Sequence, residues 1–375
     1  MAFCHSDNRK EMPYIMQTIY IILAILAFGL LIAIHELGHF FAAKLMGVKV
    51  NEFAIGMGPK ILTKQGKETL YSLRLLPLGG FCAMDEDEAK ENDPRAFTSK
   101  KRWKRALILF AGSLANIITA FIIVLIITLA SSPTEFRGTT IDNLVDTAPI
   151  KGEHGLMVGD TIVSINGDRL FYSQDFSMFV QLSELTGRTN ADLVILRDGQ
   201  TLHLNNFPLV RHEFMEDGET VYRFGIRFNV IDATLSEQLR YSAYLTFNFV
   251  RMIRVSLAQL ISGHVGLDGL SGVVGIVDVM STVANEAPSI ADALGQLAFF
   301  TAFIGVNLAV MNMLPIPALD GGRILFLFIS FFIEKVIRRP LDPKYEGYIH
   351  MGAMVLLFGL MIFMLFNDVI AIIGR

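Results

Sequence analysis

Two histidines four residues apart bracket a carboxylate in Ile34-His35-Glu36-Leu37-Gly38-His39-Phe40. On a helix, residues i and i+4 share one face, so both imidazoles can reach one zinc ion while Glu36 stands beside them. Zinc brings the pKa of a water it holds down towards about 7, and a carboxylate that is not a ligand can then take the proton. The pattern is therefore that of a metallohydrolase. In a soluble helix such a short pattern could arise by chance, but the 21 residues from Tyr14 to Ile34 carry no charge. That is enough to cross a hydrocarbon core of about 30 Å. Ionisable groups are costly at membrane depth and usually functional there, which disfavours coincidence.

A second chemical segment lies far along the chain. Ala293 to Ile333 is 41 residues of mostly apolar sequence, about 60 Å as one straight helix and so twice the membrane core. A break is expected at Asn312-Met313-Leu314-Pro315-Ile316-Pro317-Ala318-Leu319-Asp320-Gly321-Gly322. Its two prolines remove amide donors and disfavour helix at the residues before them. Asp320 is the natural third zinc ligand, leaving a fourth position for water. The competing reading is an Asp that merely caps the helix beginning after Gly321.

These segments must be held by membrane helices. Of the 375 residues, 52% are hydrophobic and 18% charged, and the mean hydropathy is +0.48; together they mark a polytopic membrane protein. A net charge of -4 favours no nucleic acid partner. The expected fold class is a polytopic α-helical membrane protein with four transmembrane helices, a membrane-associated β-hairpin and an inserted extracytoplasmic β-rich domain. Residues 1–46 hold the N-terminal tail and first span, 47–105 a loop with the hairpin, 106–130 the second span and 131–232 the inserted domain. Residues 233–292 form an amphipathic helix and Gly-rich connector, 293–334 the third span, 335–348 a loop and 349–375 the fourth span.

Orientation follows the basic residues. The loop from Lys44 to Arg105 carries thirteen Lys and Arg, and Lys335, Arg338, Arg339 and Lys344 follow the third span, so both loops should be cytoplasmic. Both termini and the inserted domain are then outside, and the zinc site sits roughly 7 Å inside the cytoplasmic end of its span. Cys4 and Cys82 fall on opposite sides, which excludes a disulfide framework.

Short apolar runs around Lys64-Gln65-Gly66-Lys67 predict a hairpin over Val50 to Phe81, whose free edge could hold an extended substrate. Asp85 to Asp93 reads as an acidic connector. Gly112, Ser113 and Asn116 in the second span read first as helix-packing residues, with a substrate contact from Asn116 secondary. Asn166-Gly167 and Asp198-Gly199 between β-rich runs are hairpin turns, and Phe176 to Leu185 reads as a helix. Leu235 to Leu260 is expected as a helix on the outer membrane surface or under the inserted domain, and Gly263 to Gly275 as a returning loop.

Gly155 to Gly167 closely resembles a bacterial PDZ domain. With the His35-Glu36-Leu37-Gly38-His39 motif, Gly56-Met57-Gly58-Pro59, Pro77-Leu78-Gly79-Gly80-Phe81 and the Asn312 to Gly321 motif, the chain resembles the site-2 protease family of intramembrane zinc metalloproteases, in its bacterial four-span branch. The resemblance implies a Zn2+ cofactor held by His35, His39 and Asp320, with Glu36 catalytic. It implies substrate contacts from Asn312, Pro315 and Pro317, and from the Gly56, Met57, Gly58 and Pro59 loop, although Met57 stands where relatives often have Phe. The implied partners are single-pass transmembrane substrates such as anti-sigma factors or remnant signal peptides, the lipid bilayer of the cell inner membrane, and a peptide ligand of the PDZ-like domain. Two rivals remain: a PDZ-bearing membrane adaptor with a vestigial metal site, and a metal-ion transporter.

Overall fold

A computed structural model describes residues 14–84, 93–144, 155–185, 187–209, 212–216, 219–263, 289–339, 347–356, 358–359 and 362. The chain divides into two compact units, one of residues 1–127 and 245–375 and the other of residues 128–244. The acidic connector at 85–92, the Gly-rich segment from 264 and most of the expected fourth span fall outside the described residues.

In the first unit, three helices among the described residues are long and apolar enough to cross a membrane. They are α1 (Tyr14–Leu45), α2 (Arg102–Ser131) and, numbered here in chain order, α5 (Ile290–Asn312). The predicted break follows directly. α5 stops at Asn312, residues 313–319 are not helical, and α6 (Asp320–Ile337) begins at the carboxylate. A short apolar helix, α7 (Gly347–Leu356), stands where the fourth span is expected to start.

Small residues set how closely these helices meet. A β-carbon on Gly38 of α1 would lie 2.9 Å from the backbone carbon of Ala111 on α2, so the two backbones are in contact as small residues allow. Apolar side chains fill the other faces. Ala24 and Leu31 of α1 cluster with Leu297 and Ile304 of α5, and Ala120 and Val124 of α2 with Ala302 and Val306 of α5. The latter cluster also takes Phe249 and Ile253 of α4 (Leu235–Ile261). The second half of α4 is thus packed among helices rather than lying on an outer surface, because its i, i+4 apolar pair finds a helical partner.

The hairpin is present as β1 (Val50–Gln65) and β2 (Leu70–Met84), with several register shifts. Glu52 to Ile55 pair with Ala83 to Gly80 and also with Leu70 to Leu73, while Lys60 to Gln65 pair with Arg74 to Leu70. Gly56 and Gly58, both at φ +85, supply the left-handed turns that fold β1 back on itself. Across this small sheet, Glu52 accepts hydrogen bonds from Ser72 Oγ at 2.7 Å, Arg74 Nη2 at 2.9 Å and Lys60 Nζ at 3.2 Å. Burial opposes the charge of Glu52, but these three donors outweigh it and hold its carboxyl below the ordinary value.

The second unit is β-rich. Its larger sheet has the order β10-β3-β4-β6-β7, with β5 paired to β4. The strands are β3 (Glu135–Leu144), β4 (Thr161–Ile165), β5 (Asp168–Arg169), β6 (Asn190–Arg197), β7 (Gln200–Pro208) and β10 (Ile226–Asp232). A separate hairpin joins β8 (His212–Glu216) to β9 (Glu219–Arg223). Both predicted tight turns have the required backbone: Asn166 and Gly167 at φ 50 and 86, Asp198 and Gly199 at φ 48 and 79, the double positive φ of a type I′ hairpin. Helix α3 (Ser173–Leu185) buries Phe176, Phe179 and Val180, and the sheet buries Ile162, Ile165, Leu193 and Ile195. Asp160, 1% exposed, is neutralised by Arg197, whose guanidinium donates to both of its oxygens at 2.8 and 2.7 Å.

Candidate metal centre

The two distant motifs converge in the first unit. His35 Nε2 and His39 Nε2 are 3.1 Å apart, and each is 3.1 Å from Asp320 Oδ2. Both imidazoles are buried, at 7% and 6% exposure. His39 Nδ1 is 2.8 Å from the carbonyl oxygen of Ile108. Since that oxygen only accepts, Nδ1 carries a proton, and in the neutral form of the ring Nε2 is the ligand atom, facing a second imidazole and a carboxylate. A shared cation accounts for three such atoms at this spacing. Tetrahedral zinc, with bonds of about 2.0–2.1 Å, sets neighbouring ligand atoms roughly 3.3 Å apart, so the donor set and its spacing both fit.

Two helices place the three candidate ligands. α1 puts His35 and His39 one turn apart on one face, and the break at 313–319 lets α6 start with its first carboxylate aimed back at α1. The first turn of α6 sits tightly under the preceding loop. A β-carbon on Gly321 or Gly322 would collide with the backbone of Met313 or of Ile316. Glu36 stays outside the ligand triangle. It lines the same cavity as Cys82, and its Cγ lies 3.2 Å from where a Gly80 β-carbon would be.

Helix α2 forms the other wall through one stripe of positions, 108, 112 and 116. Ile108 fixes the His39 tautomer. Gly112 has no room for a side chain, since a β-carbon would lie 2.7 Å from His39 Cε1 and 2.8 Å from His35 Cε1. Asn116, one turn further, is fully buried, and neither its Nδ2 nor its Oδ1 has a hydrogen-bond partner.

A cavity of about 310 Å³ adjoins the centre, lined by His35, Glu36, His39, Asn116, Asn312 and Asp320 among others. The residues assigned to substrate in the sequence divide. Asn312 is in the cavity, its Nδ2 3.2 Å from His35 Nε2. Pro315 and Pro317 instead line a separate apolar cavity between α6 and α7. None of Gly56, Met57, Gly58 and Pro59 lines the metal-centre cavity, which takes Phe81, Cys82 and Met84 from the hairpin. Met57 packs over Gly79. Arg323, one turn beyond Asp320, also lines the cavity and went unremarked in the sequence, as did the Ile108 carbonyl that meets His39 Nδ1. The signal that could have found the α2 contacts was the four-residue step from Ile108 through Gly112 to Asn116.

Two histidines and an aspartate gathered as a candidate metal centre beside a glutamate, on helices of membrane length, fit the class of membrane zinc metalloproteases. Comparison with known proteins gives the family. The sequence matches Peptidase family M50 over residues 23–360, and the chain belongs to that family, the site-2 proteases. It is 36% identical over 351 residues to a Clostridium acetobutylicum protein named "Putative zinc metalloprotease", covering 93% of this chain and 97% of that protein. A Clostridium perfringens protein of the same description is 34% identical over 352 residues, with coverage of 94% and 98%. The "Regulator of sigma-W protease RasP" of Bacillus subtilis is 29% identical over 430 aligned positions, with coverage of 93% and 98%. The cofactor of this protease is Zn2+.

Proposed function

We propose that the chain is an intramembrane endopeptidase that cuts within or beside the transmembrane segment of single-pass proteins. The observation that carries this reading is the convergence of His35, His39 and Asp320 within 3.1 Å of one another on helices able to cross a bilayer. His35, His39 and Asp320 would hold the zinc, which when bound would supply Lewis-acid polarisation of the scissile carbonyl and a more acidic attacking water. Glu36 takes a proton from that water and returns it to the leaving amine.

Substrate is held by main chain and amides. The segment Gly80 to Ala83 pairs with Ile55 to Glu52 on one edge, and its other edge pairs with no strand among the described residues. An extended substrate adding there gains backbone hydrogen bonds without sequence demands. Asn116 and Asn312 face the cavity and suit the peptide groups of an unwound helix. Pro315 and Pro317 serve by breaking the helix, and the Gly56 to Pro59 loop by bending the hairpin that carries this edge.

The second unit, a sheet covered by one helix, is assigned as the PDZ-like domain, a filter or a receptor for a peptide ligand. The basic runs around Lys100 to Arg105 and after Ile337 support a centre near the cytoplasmic face of the inner membrane and a PDZ-like domain outside. The printed name of the Bacillus subtilis relative supports anti-sigma factors as one substrate class. Purified chain in liposomes with a tagged single-span substrate tests the reading. Cleavage within the lipid-protected segment is expected, and full cleavage by Glu36→Gln would overturn it.

A further inference from the structure

We propose that His350, on α7, is a positioning residue for the Asp320 side of the metal centre. The backbone N–H of Ala318 donates to His350 Nδ1 at 2.8 Å. Ala318 stands at φ 79, a left-handed conformation in a residue other than glycine. A β-carbon disfavours that region, and such residues persist where neighbours over-determine them. Only Leu319 separates Ala318 from Asp320, and Leu319 caps α6 without any side-chain hydrogen bond. The direction in which Asp320 leaves the loop is therefore set from two sides. On one, Gly321 and Gly322 press against the backbone of Met313 to Pro317. On the other, the imidazole of His350 holds the Ala318 amide in its strained turn.

Accepting this bond fixes the ring as well. Nδ1 is unprotonated and the neutral imidazole carries its proton on Nε2. His350 also lines the cavity of about 330 Å³ with Pro315, Pro317 and Gly322, so the ring closes the same loop from which Asp320 emerges. The start of α7 thus acts on the centre through one hydrogen bond, two residues removed from the ligand.

This inference rests on Asp320 being a ligand, and the test separates the two. Zinc loss from detergent-solubilised full-length protein into excess chelator is followed for the native chain, Asp320→Ala, His350→Ala, His350→Asn and Ala318→Gly/His350→Ala. Loss of an outer partner of a ligand weakens metal binding about 10- to 100-fold, and His350→Ala is expected to release zinc about tenfold faster. His350→Asn, which keeps an acceptor, recovers part of the difference. The double variant also recovers, because glycine takes positive φ freely. In cleavage, His350→Ala lowers kcat and leaves KM for the substrate unchanged. If Asp320→Ala keeps its zinc, the ligand assignment fails and this inference falls with it. If Asp320→Ala loses zinc while His350→Ala keeps the native release rate, the positioning role alone is wrong. If His350→Ala does not fold, His350→Asn and the double variant decide: release in both as fast as from Asp320→Ala overturns the proposal.

Discussion

The α-carbon of Gly112 faces the imidazole of His39 with no space for a methyl group between them, a β-carbon there falling 2.7 Å from Cε1 of the ring. Gly112→Ala should therefore push a ligand out of place even though alanine favours the helix by about 1 kcal/mol. The expected result is a chain that folds and binds zinc roughly 10- to 100-fold more weakly, read as zinc content after dialysis against a chelator. Native zinc content would mean that α2 can back away without cost.

Glu36→Gln keeps the shape of the side chain and removes its basicity. Zinc content should stay native while cleavage falls by about 10²- to 10⁴-fold, the usual worth of a general base. Metal analysis and turnover on the same preparation check this together, and loss of zinc in this variant would show that Glu36 is a ligand instead.

The motifs that reveal the site are local, which is why they were legible. His35 and His39 are joined by one helical turn, Pro315 and Pro317 break a helix wherever they stand, and Asn166-Gly167 and Asp198-Gly199 carry their backbone angles with them. What faces what across the bundle was not legible. Gly112 and Asn116 read as packing residues because nothing in α2 alone says which helix lies opposite. The hairpin was expected, but the segment that lines the cavity is Phe81 to Met84, because shifts in register turn Gly56 to Pro59 away from it. For α4 the sequence leaves two settings open, a lipid surface or the underside of the inserted domain, because an apolar face at helical spacing suits either. The second holds for its first half, where Tyr241 stacks on Phe136 and Tyr244 donates to Asp175 Oδ1 at 2.7 Å.

Metal removal should be complete and reversible. Chelation is expected to abolish cleavage, and added zinc to restore it, in the native chain but not in Asp320→Ala. Activity surviving with no divalent metal in the sample would contradict the centre altogether.

Asn116 separates function from stability. An unsatisfied buried polar group costs about 1–3 kcal/mol, so Asn116→Leu should raise the thermal midpoint or leave it unchanged. Cleavage should fall meanwhile, about tenfold or more, because the peptide group of the substrate loses its partner. A variant both stabilised and fully active would return Asn116 to a packing role.

The Glu52 pairs give the hairpin a pH dependence of definite sign. Because the folded carboxyl titrates below its ordinary value of 4.5, its stabilising contribution is fully present above that value and is lost as pH falls through the depressed folded value. Amide exchange across β1 and β2, or protease nicking of the hairpin, should rise in that acid window in the native chain. In Glu52→Gln the same segment should exchange faster at pH 7 and lack the acid step.

His35 and Asp320 are 285 residues apart in sequence. At a ribosomal rate of about 5–20 residues per second, the second arrives on the order of 15–60 s after the first. Through that interval the nascent chain is already anchored in the lipid among other newly inserted helices, yet on the proposed ligand set its centre has two imidazoles and no carboxylate, and cannot cut any of them. On that reading the enzyme comes into being as a blank and is armed only when the segment around Asp320 arrives.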